Sequence, residues 1–478
     1  MHLKNVTLRN FRCFEKLALD LHPRLTVLVA ENGGGKTAIL DGIAIGLSPV
    51  LRYLSSANQR LSGPGIGDTD FRLMPVVGGK GKKRDTTSDF AQVVIETTNG
   101  LVWDNWRAAS KGKHPETKVG QSSVSTYASD ILDRLITTEA ILLPVFAFYD
   151  AHRGFISGPR RLRKSKVNYD YPTSALFGSL DLLSDFEEML EWFDQEEAAE
   201  LRSNKGCPRE NWDESSALNS VRWSINAILG GAYHNPQFNT QHRFVVESKT
   251  TPSMFLQVEQ LSQGYQSMLA LGMDFARRLA LANSHLDSVE DIFAVPAIRQ
   301  CLESTLPGSR GYLLKNKGSM SSSEGLSSTV FAPALMLVDE IDIHLHPSWQ
   351  QRVLGDLMNA FPCTQFIVTT HSPQVVSTVP SESIRILQDG QVFSAPPGTE
   401  GAEASRILTR VLGVDVRPLE NEATKELNEY LTLVDADQWA SARAVELRQK
   451  LDARYQGEEP ALLDADLLIE NRKWELEQ

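Results

Sequence analysis

Four short motifs in a fixed order constrain the fold of this chain more than its composition does. AENGGGKT occupies residues 30–37, LSQGYQ residues 261–266, ALMLVDE residues 334–340 and TTHS residues 369–372. A glycine-rich loop alone indicates a phosphate site. In this order, the four motifs predict a nucleotide held between two copies of the same domain.

The first motif has the context of a phosphate-binding loop. An apolar run, LTVLVA at 25–30, precedes it, and a predicted helix starts at Lys36. Backbone N–H groups of the loop would surround the β-phosphate, Lys36 would reach the β- and γ-phosphates, and Thr37 would bind Mg²⁺. The usual first glycine is replaced by Ala30, which fits if its φ is negative. The predicted ATP-binding residues here are Asn32, Gly33, Gly34, Gly35, Lys36 and Thr37.

The third and fourth motifs each end an apolar run. ALMLV reads as a buried strand that would deliver Asp339 to the Mg²⁺ shell. Glu340 would then polarise the attacking water as a general base. FIVTT is a second buried strand, and it would place His371 at the γ-phosphate. An acidic strand end and a structural histidine are the alternatives, and the motif order argues against both.

The second motif opens an amphipathic helix, LSQGYQSMLALGMDFARRLA at 261–280. Backbone amides and a serine at a helix N-terminus form an anion site. Ser262 and Gly264 are predicted to form such a site, and in an architecture with these four motifs it would bind the γ-phosphate held by the other subunit. A plain helix cap would explain Ser262 but not the position of the motif before the carboxylate strand.

The charge of the chain limits its partners. It has 478 residues, enough for two or three domains, and a formal net charge of −12 at pH 7. This charge argues against nucleic-acid binding over the whole surface. Two basic runs, GGKGKKR at 78–84 and PRRLRKSK at 159–166, are either solvated loops or local contacts for a DNA backbone.

The remaining composition predicts a cytoplasmic protein. No run of about 18 apolar residues is present, and the N-terminus lacks the apolar stretch of a signal peptide. The cysteines show no CxxC spacing, which argues against a structural zinc site. They are Cys13, Cys207, Cys301 and Cys363.

Five segments together resemble the RecF/SMC/Rad50 branch of ABC-type ATPases: LRNFRCF, AENGGGKT, LSQGYQ, LMLVDEIDIHLHP and TTHSPQVV. The likeness covers residues 1–60 and 261–390. LPVFAFYDAHR, DEIDIHLHPSWQ and the tail beginning ILTRVLGVDVRP further resemble PtuA, the ATPase of Septu and retron-linked anti-phage systems. The resemblance implies an α/β P-loop ATPase fold with a mainly parallel central sheet, an antiparallel β subdomain, a helical insertion and a C-terminal helical segment.

The resemblance also implies cofactors and partners. ATP and Mg²⁺ would be the cofactors. The chain would form a homodimer or higher homo-oligomer and control an HNH nuclease subunit similar to PtuB. Nucleic acid would be contacted through that complex, and no membrane would be involved.

The family motifs carry over to individual residues. Arg12, in Asn10-Phe11-Arg12, matches an arginine that contacts nucleotide phosphates, and Asp342 matches the loop that crosses the dimer interface. Glu340 and His371 are the implied catalytic residues, and Thr37 and Asp339 the implied metal ligands. His344 and His346 then belong to the interface loop rather than to a metal site.

One family element is missing. A glutamine is expected after the strand that ends at Tyr149, but the sequence continues YDAHRG. Either Asp150, His152 or Arg153 takes its role, or hydrolysis is slow.

Four segments are predicted. Residues 1–150 form an ATPase lobe with the phosphate loop and β subdomain, 151–255 a mostly helical insertion, 256–400 the second ATPase lobe with a flexible stretch near 304–330, and 401–478 an acidic helical segment. The function favoured is a regulatory ATPase of an anti-phage complex. The alternative is a RecF-like DNA-repair ATPase that clamps DNA directly.

Overall fold

The computed structural model describes residues 1–478 except 57–58, 78–82, 138–140, 152–168, 170, 182–185, 209–210, 230, 252–253, 287–293, 306–327 and 477–478. The basic run at 159–166, most of the run at 78–84, His152, Arg153 and most of the stretch near 304–330 lie outside the described residues. The chain divides into two compact units, Met1–Ile407 and Leu408–Gln478.

All the strands that the structure describes lie in the first unit. In chain order they are β1 Leu3–Phe11, β2 Phe14–Asp20, β3 Leu25–Ala30, β4 Leu73–Val77, β5 Lys83–Thr87, β6 Phe90–Thr97, β7 Val102–Ala108, β8 Val145–Tyr149, β9 Tyr233–Phe238, β10 Phe244–Ser248, β11 Phe255–Gln257, β12 Ala334–Val338, β13 Thr364–Thr369, β14 Ile384–Gln388 and β15 Gln391–Ser394.

A six-stranded sheet in the order β15-β14-β3-β13-β12-β8 forms the centre of this unit. All neighbouring strands are parallel except the β14–β15 edge pair. Every residue of β3, β8, β12 and β13 is buried, which explains their continuous apolar sequences. The predicted mainly parallel sheet is confirmed. Its parallel strands bring the ends of β3, β12 and β13 to one edge.

A four-stranded antiparallel sheet, β2-β1-β6-β7, forms the predicted β subdomain. Leu17, Leu19 and the following Leu21 are buried between exposed neighbours, as the alternating pattern predicts. Asn99-Gly100 lies in the β6–β7 hairpin connection, and Gly100 has φ +85°. Two smaller antiparallel sheets, β4-β5 and β11-β10-β9, complete the strands.

The α-helices that the structure describes are α1 Lys36–Leu54, α2 Ser122–Ile136, α3 Phe186–Ser203, α4 Ser216–Ile228, α5 Gln263–Ala282, α6 Pro296–Thr305, α7 Pro347–Gln350, α8 Val353–Ala360, α9 Pro373–Val376, α10 Ala404–Arg410, α11 Glu422–Asp435, α12 Ala442–Tyr455 and α13 Pro460–Leu476. The predicted insertion at 151–255 thus contains α3 and α4, followed by the β9–β10 hairpin.

Helix α1 follows the glycine-rich loop. Among the described helices it is the one with the length and apolar composition to cross a membrane, and 72% of its apolar stretch is buried inside the fold. This burial is that of a core helix of the ATPase unit.

The second unit contains the helices α11, α12 and α13, which pack around their own apolar core. The core residues are Leu427, Tyr430, Val434, Ala444, Leu447, Leu451, Leu462, Ala465 and Ile469. Asn421 caps α11 and Ser441 caps α12 through their side chains.

Candidate ATP-binding site

The phosphate loop connects β3 to α1 at the carboxyl edge of the central sheet. Ala30 is the last residue of β3, so the alanine in place of the usual glycine has an extended backbone. Gly33 has φ +82°, and a Cβ there would meet no atom within 4 Å, so this side of the loop is open. Gly34 donates its N–H to the Glu31 carbonyl at 3.1 Å. The loop therefore has the fixed, open backbone that phosphate binding requires.

The turn between β1 and β2 lies against this loop. A Cβ on Gly35 would overlap the Phe14 ring and lie 2.8 Å from Cys13 Sγ, so only glycine permits this approach. The turn contains Arg12, the predicted phosphate contact. Arg12 Nε donates to Asp70 at 2.8 Å, and Nη1 donates to Asp41 at 2.5 Å.

These two ion pairs qualify the predicted role of Arg12. Asp41 lies on α1, one turn beyond Thr37, so the guanidinium group lies beside the start of that helix. Two carboxylates already occupy it. A phosphate contact by Arg12 stays a prediction, and it requires the phosphate to replace at least one of them.

Lys36 is buried at the base of the loop. Its Nζ donates to the carbonyl of Ala30 at 2.9 Å and to that of Glu31 at 3.3 Å. Burial lowers the pKa of Lys36, whereas the nearby carboxylates Asp339 and Glu340 oppose that shift. A phosphate group would add negative charge and favour the ammonium form.

Thr37 and Asp339 meet, as predicted for the metal ligands. Thr37 Oγ1 donates to Asp339 Oδ2 at 2.8 Å, and Asp339 is 4% exposed. A hydroxyl and a carboxylate are hard oxygen donors, and Mg²⁺ usually takes only one or two carboxylates besides phosphates and water. This pair therefore fits Mg²⁺ bound together with a nucleotide.

Thr369, at the end of β13, was not singled out in the sequence but organises both carboxylates. Its hydroxyl donates to Asp339 Oδ1 at 2.5 Å and accepts the Glu340 N–H at 2.7 Å. Glu340 has φ +48°, a conformation that costs free energy in a non-glycine residue. The hydrogen bond from its N–H to Thr369 holds the backbone in that position.

The segment after β13 contains His371, which is partly exposed. Thr370, directly before it, donates through Oγ1 to Asp342 Oδ1 at 2.6 Å. Ser372, directly after it, donates through Oγ to Gln350 Oε1 at 2.8 Å. His371 is thus held between two residues that both contact the DEIDIHLHPSWQ segment.

Gln350 is a second residue that the motifs did not indicate. Besides accepting from Ser372, its Nε2 donates to the Leu345 carbonyl at 3.0 Å and to the Asp342 carbonyl at 3.3 Å. It connects the His371 segment to the predicted interface loop. Its position at the end of the DEIDIHLHPSWQ motif was the only sequence signal.

The signature motif begins at the amino end of α5. Ser262 is the N-cap residue, is exposed and makes no side-chain capping hydrogen bond. Gly264 is buried, and a Cβ there would lie 2.7 Å from the His344 carbonyl oxygen. The signature therefore packs directly on the interface loop that follows Asp342.

A cavity of about 240 Å³ lies beside Ser262. The rings of Tyr265 and Trp349 meet edge to face there, 4.3 Å apart. In the part of the chain that the structure describes, the signature and interface-loop residues line this cavity and the phosphate loop does not. The lining residues are Ser262, Gly264, Tyr265, His344, Leu345, His346, Ser348 and Trp349.

Tyr149 is the last residue of β8, the strand after which the family glutamine was expected. Its carbonyl accepts the Asp339 N–H at 2.9 Å, and its hydroxyl donates to Asp274 Oδ2 at 2.8 Å. Asp274 lies on α5 and pairs with Arg277 and Arg278, each at 2.7 Å. Burial opposes ionisation of Asp274, but the two guanidinium groups lower its pKa to about 2. Tyr149 therefore connects the carboxylate strand to the signature helix.

Comparison with known protein families gives the class of protein. A family model described as an AAA domain matches residues 5–219, and a second AAA-domain model matches residues 318–377. Together these ranges include the phosphate loop, Asp339 and His371. The site and these matches define the chain as an ATPase.

Curated relatives show which ATPases the chain is similar to. The Retron Ec83 probable ATPase of Escherichia coli is 27% identical over 531 aligned residues, covering 99% of this chain and 88% of the relative. The Retron Vc95 probable ATPase of Vibrio cholerae is 23% identical, covering 81% and 74%. Septu protein PtuA of Bacillus thuringiensis is 33% identical over 107 residues, only 20% of this chain and 27% of the relative.

The chain is an AAA-domain ATPase related to the retron ATPases and to Septu PtuA. Short stretches also relate it to SMC and RecF proteins. Among solved structures, an SMC head bound to the C-terminal winged-helix domain of ScpA aligns with 82% of this chain and 98% of that chain, at 16% identity and a TM-score of 0.39.

Proposed function

We propose that this chain is the ATP-binding and hydrolysing regulatory subunit of a bacterial anti-phage defence complex, acting in the cytoplasm. The retron ATPases and Septu PtuA suggest a defence-system ATPase. ATP binding would join two copies head to tail, and the closed assembly would control a partner HNH nuclease.

The observation that carries head-to-tail assembly is the division of the site. The phosphate loop, Thr37, Asp339 and Glu340 belong to one constellation at the edge of the central sheet. Ser262 is exposed at another helix end, and its hydroxyl does not cap that helix. A second copy would bring its own Ser262 and Gly264 to the γ-phosphate, where the free N-terminal amides of α5 favour negative charge.

Hydrolysis needs few further groups. Bound between Thr37 and Asp339, Mg²⁺ would neutralise charge on the phosphates. Lys36 would hold the β- and γ-phosphates. Glu340 would accept the proton of the attacking water, and His371 would contact the γ-phosphate from the end of β13.

Mixing two inactive chains tests the shared site. A Lys36→Ala chain loses its phosphate contact, and a Ser262→Arg chain blocks the site of its partner. Each alone should hydrolyse ATP at background rate. A mixed dimer has one site with Lys36 and Ser262 both intact, so mixing should restore about half of the wild-type sites in mixed dimers, assuming independent sites.

Mass measurement must show that mixed dimers form. Formed mixed dimers with no recovered hydrolysis would refute the shared site. The shared site would also be refuted if the wild-type chain hydrolysed ATP at its full rate while it was a monomer.

The partner nuclease is tested separately: the genes beside that of this chain are searched for an HNH protein, and any such protein is co-purified with the chain. Nuclease activity that changes between ATP and ADP supports control by the ATPase. The alternative is a RecF-like clamp, which the short match to RecF favours. Direct ATP-dependent DNA binding without any nuclease partner would support that alternative.

A further inference from the structure

Helix α13 is apolar on two sides, which an isolated three-helix unit does not need. Leu462, Ala465 and Ile469 face the core of the second unit and are buried. Leu463 and Leu467 are 52% and 59% exposed. Large apolar residues that group together on an exposed surface are typical of a protein contact.

The exposed apolar residues of α13 form one stripe. Leu463, Leu467 and Trp474 are separated by four and seven residues, and Trp474 is 64% exposed. These spacings place all three on one side of the helix. We call Leu463, Leu467 and Trp474 the α13 stripe.

The charge around the α13 stripe indicates what could cover it. The second unit has about twice as many acidic as basic residues. Its bases are largely engaged within the unit: Arg417 pairs with Glu459, Arg454 with Glu426 and Arg443 with Glu429.

Helix α13 has acids beside the α13 stripe, and one exposed base, Lys473, next to Trp474. Asp464 and Glu475 flank the α13 stripe, and Glu470 lies within it, three residues after Leu467 and four before Trp474. All three are exposed. The ion pairs found among the described residues do not include them.

This combination excludes some partners and favours another. Phosphates of DNA, RNA or an anionic membrane would be repelled by the acids within a Debye length, about 8 Å at physiological salt. Large apolar residues, including a tryptophan, favour a desolvated protein contact. The complementary surface is an apolar groove or helix face with lysine or arginine at its edge.

We propose that the α13 stripe is the docking surface for the HNH nuclease subunit. The inference rests on the proposed function. A nuclease must carry lysine and arginine residues to bind the DNA backbone, so its surface offers the basic charge that Asp464, Glu470 and Glu475 would attract. Leu467 and Trp474 would provide the apolar anchor.

The test measures binding of the full-length chain to an HNH protein found beside its gene. Leu467→Ser combined with Trp474→Ala should weaken binding at least tenfold, because it removes two central anchors. Glu470→Lys should weaken binding at low salt and less at high salt. The control is Val445→Ser, since Val445 is 45% exposed on α12 of the same unit and lies outside the stripe. It should bind as the wild type does.

Three other results for the double variant would contradict the docking surface. Undiminished binding by the double variant, with thermal unfolding unchanged, would overturn the docking surface. A smaller oligomer in the absence of nuclease would assign the α13 stripe to a second copy, and slower ATP hydrolysis would assign it to the chain's own ATPase unit. If the wild-type chain itself does not bind the HNH protein, the proposed function fails instead.

Discussion

At the carboxyl ends of β12 and β13, the predicted metal carboxylate already has partners within the chain. Asp339 accepts from Thr37 and Thr369, and Asp342 accepts from Thr370. At the amino end of α5, the backbone is closely packed, but the side chain of the N-cap residue has no capping partner. Gly264 is buried on His344, whereas the Ser262 hydroxyl is exposed and does not cap its helix.

Under the proposed function, this difference separates what one chain does alone from what it does in an assembly. We call the phosphate loop together with the residues at the ends of β12 and β13 the strand-end region, and we expect it to bind Mg²⁺ and phosphates within one chain. We expect the donors at the amino end of α5 to act on a nucleotide held by a second copy, because the exposed Ser262 hydroxyl does not cap its own helix. Substitutions in the strand-end region should therefore slow ATP hydrolysis directly. Substitutions of residues that connect this region to the amino end of α5 should weaken the dependence of hydrolysis on assembly.

Among the substitutions in the strand-end region, Glu340→Gln should slow ATP hydrolysis most. It removes the proposed base but keeps the shape of the side chain, so hydrolysis should fall by about 10²–10⁴-fold. ATP and Mg²⁺ binding should persist because Lys36, Thr37 and Asp339 are unchanged. ATP turnover and oligomeric mass should be measured together, and the variant should accumulate as a closed, ATP-bound assembly. A wild-type turnover rate would show that Glu340 is not the base.

Thr369→Val tests whether the Thr369 hydroxyl positions the carboxylates of Asp339 and Glu340. Loss of the hydroxyl leaves Asp339 Oδ1 and the Glu340 N–H each without this partner. Residues that support metal ligands typically contribute about 10–100-fold, so hydrolysis should fall by that factor. The Mg²⁺ concentration for half-maximal activity should rise.

Thr378→Val is the matched control for Thr369→Val, because the Thr378 hydroxyl donates to the Val375 carbonyl within its own segment. Equal losses in both variants would mean that a general loss of stability, and not the position of the carboxylates, explains the effect.

The sequence predicted the strand-end region well because its elements are local. Continuous apolar runs directly preceded the glycine-rich loop, Asp339 and the Thr370-His371 pair, and each run became a buried parallel strand. The β6–β7 hairpin followed from Asn99-Gly100 in the same way.

The contacts between elements could not be predicted from those patterns. β13 lies between β3 and β12, which pairs segments more than 300 residues apart. Thr369 reaches Asp339 and Glu340, and Ser372 reaches Gln350, because β13 lies beside β12. Arg12 illustrates the same limit, because its carboxylate partners Asp41 and Asp70 lie 29 and 58 residues away.

The smallest predicted effect concerns the connection between the two regions. Gln350 joins Ser372, next to His371, to the carbonyls of Asp342 and Leu345. The same loop contains His344, whose carbonyl packs on Gly264. Gln350→Leu removes hydrogen bonds that typically contribute about 0.5–1.5 kcal/mol each. Hydrolysis should fall by about 2–10-fold, and nucleotide affinity of the separate chain should stay unchanged, since Gln350 does not contact the phosphate loop.

Gln351→Leu provides the control for this connection. Gln351 is the next residue along, is exposed and donates to Gln374 Oε1 at 2.6 Å, away from the interface loop. It should retain wild-type hydrolysis and wild-type dependence on chain concentration. If Gln350→Leu also hydrolyses ATP at the wild-type rate in the assembled state, the His371 segment does not act on the signature through this loop. Tyr149 would then be the remaining connection, because its carbonyl and hydroxyl join Asp339 to Asp274 on α5.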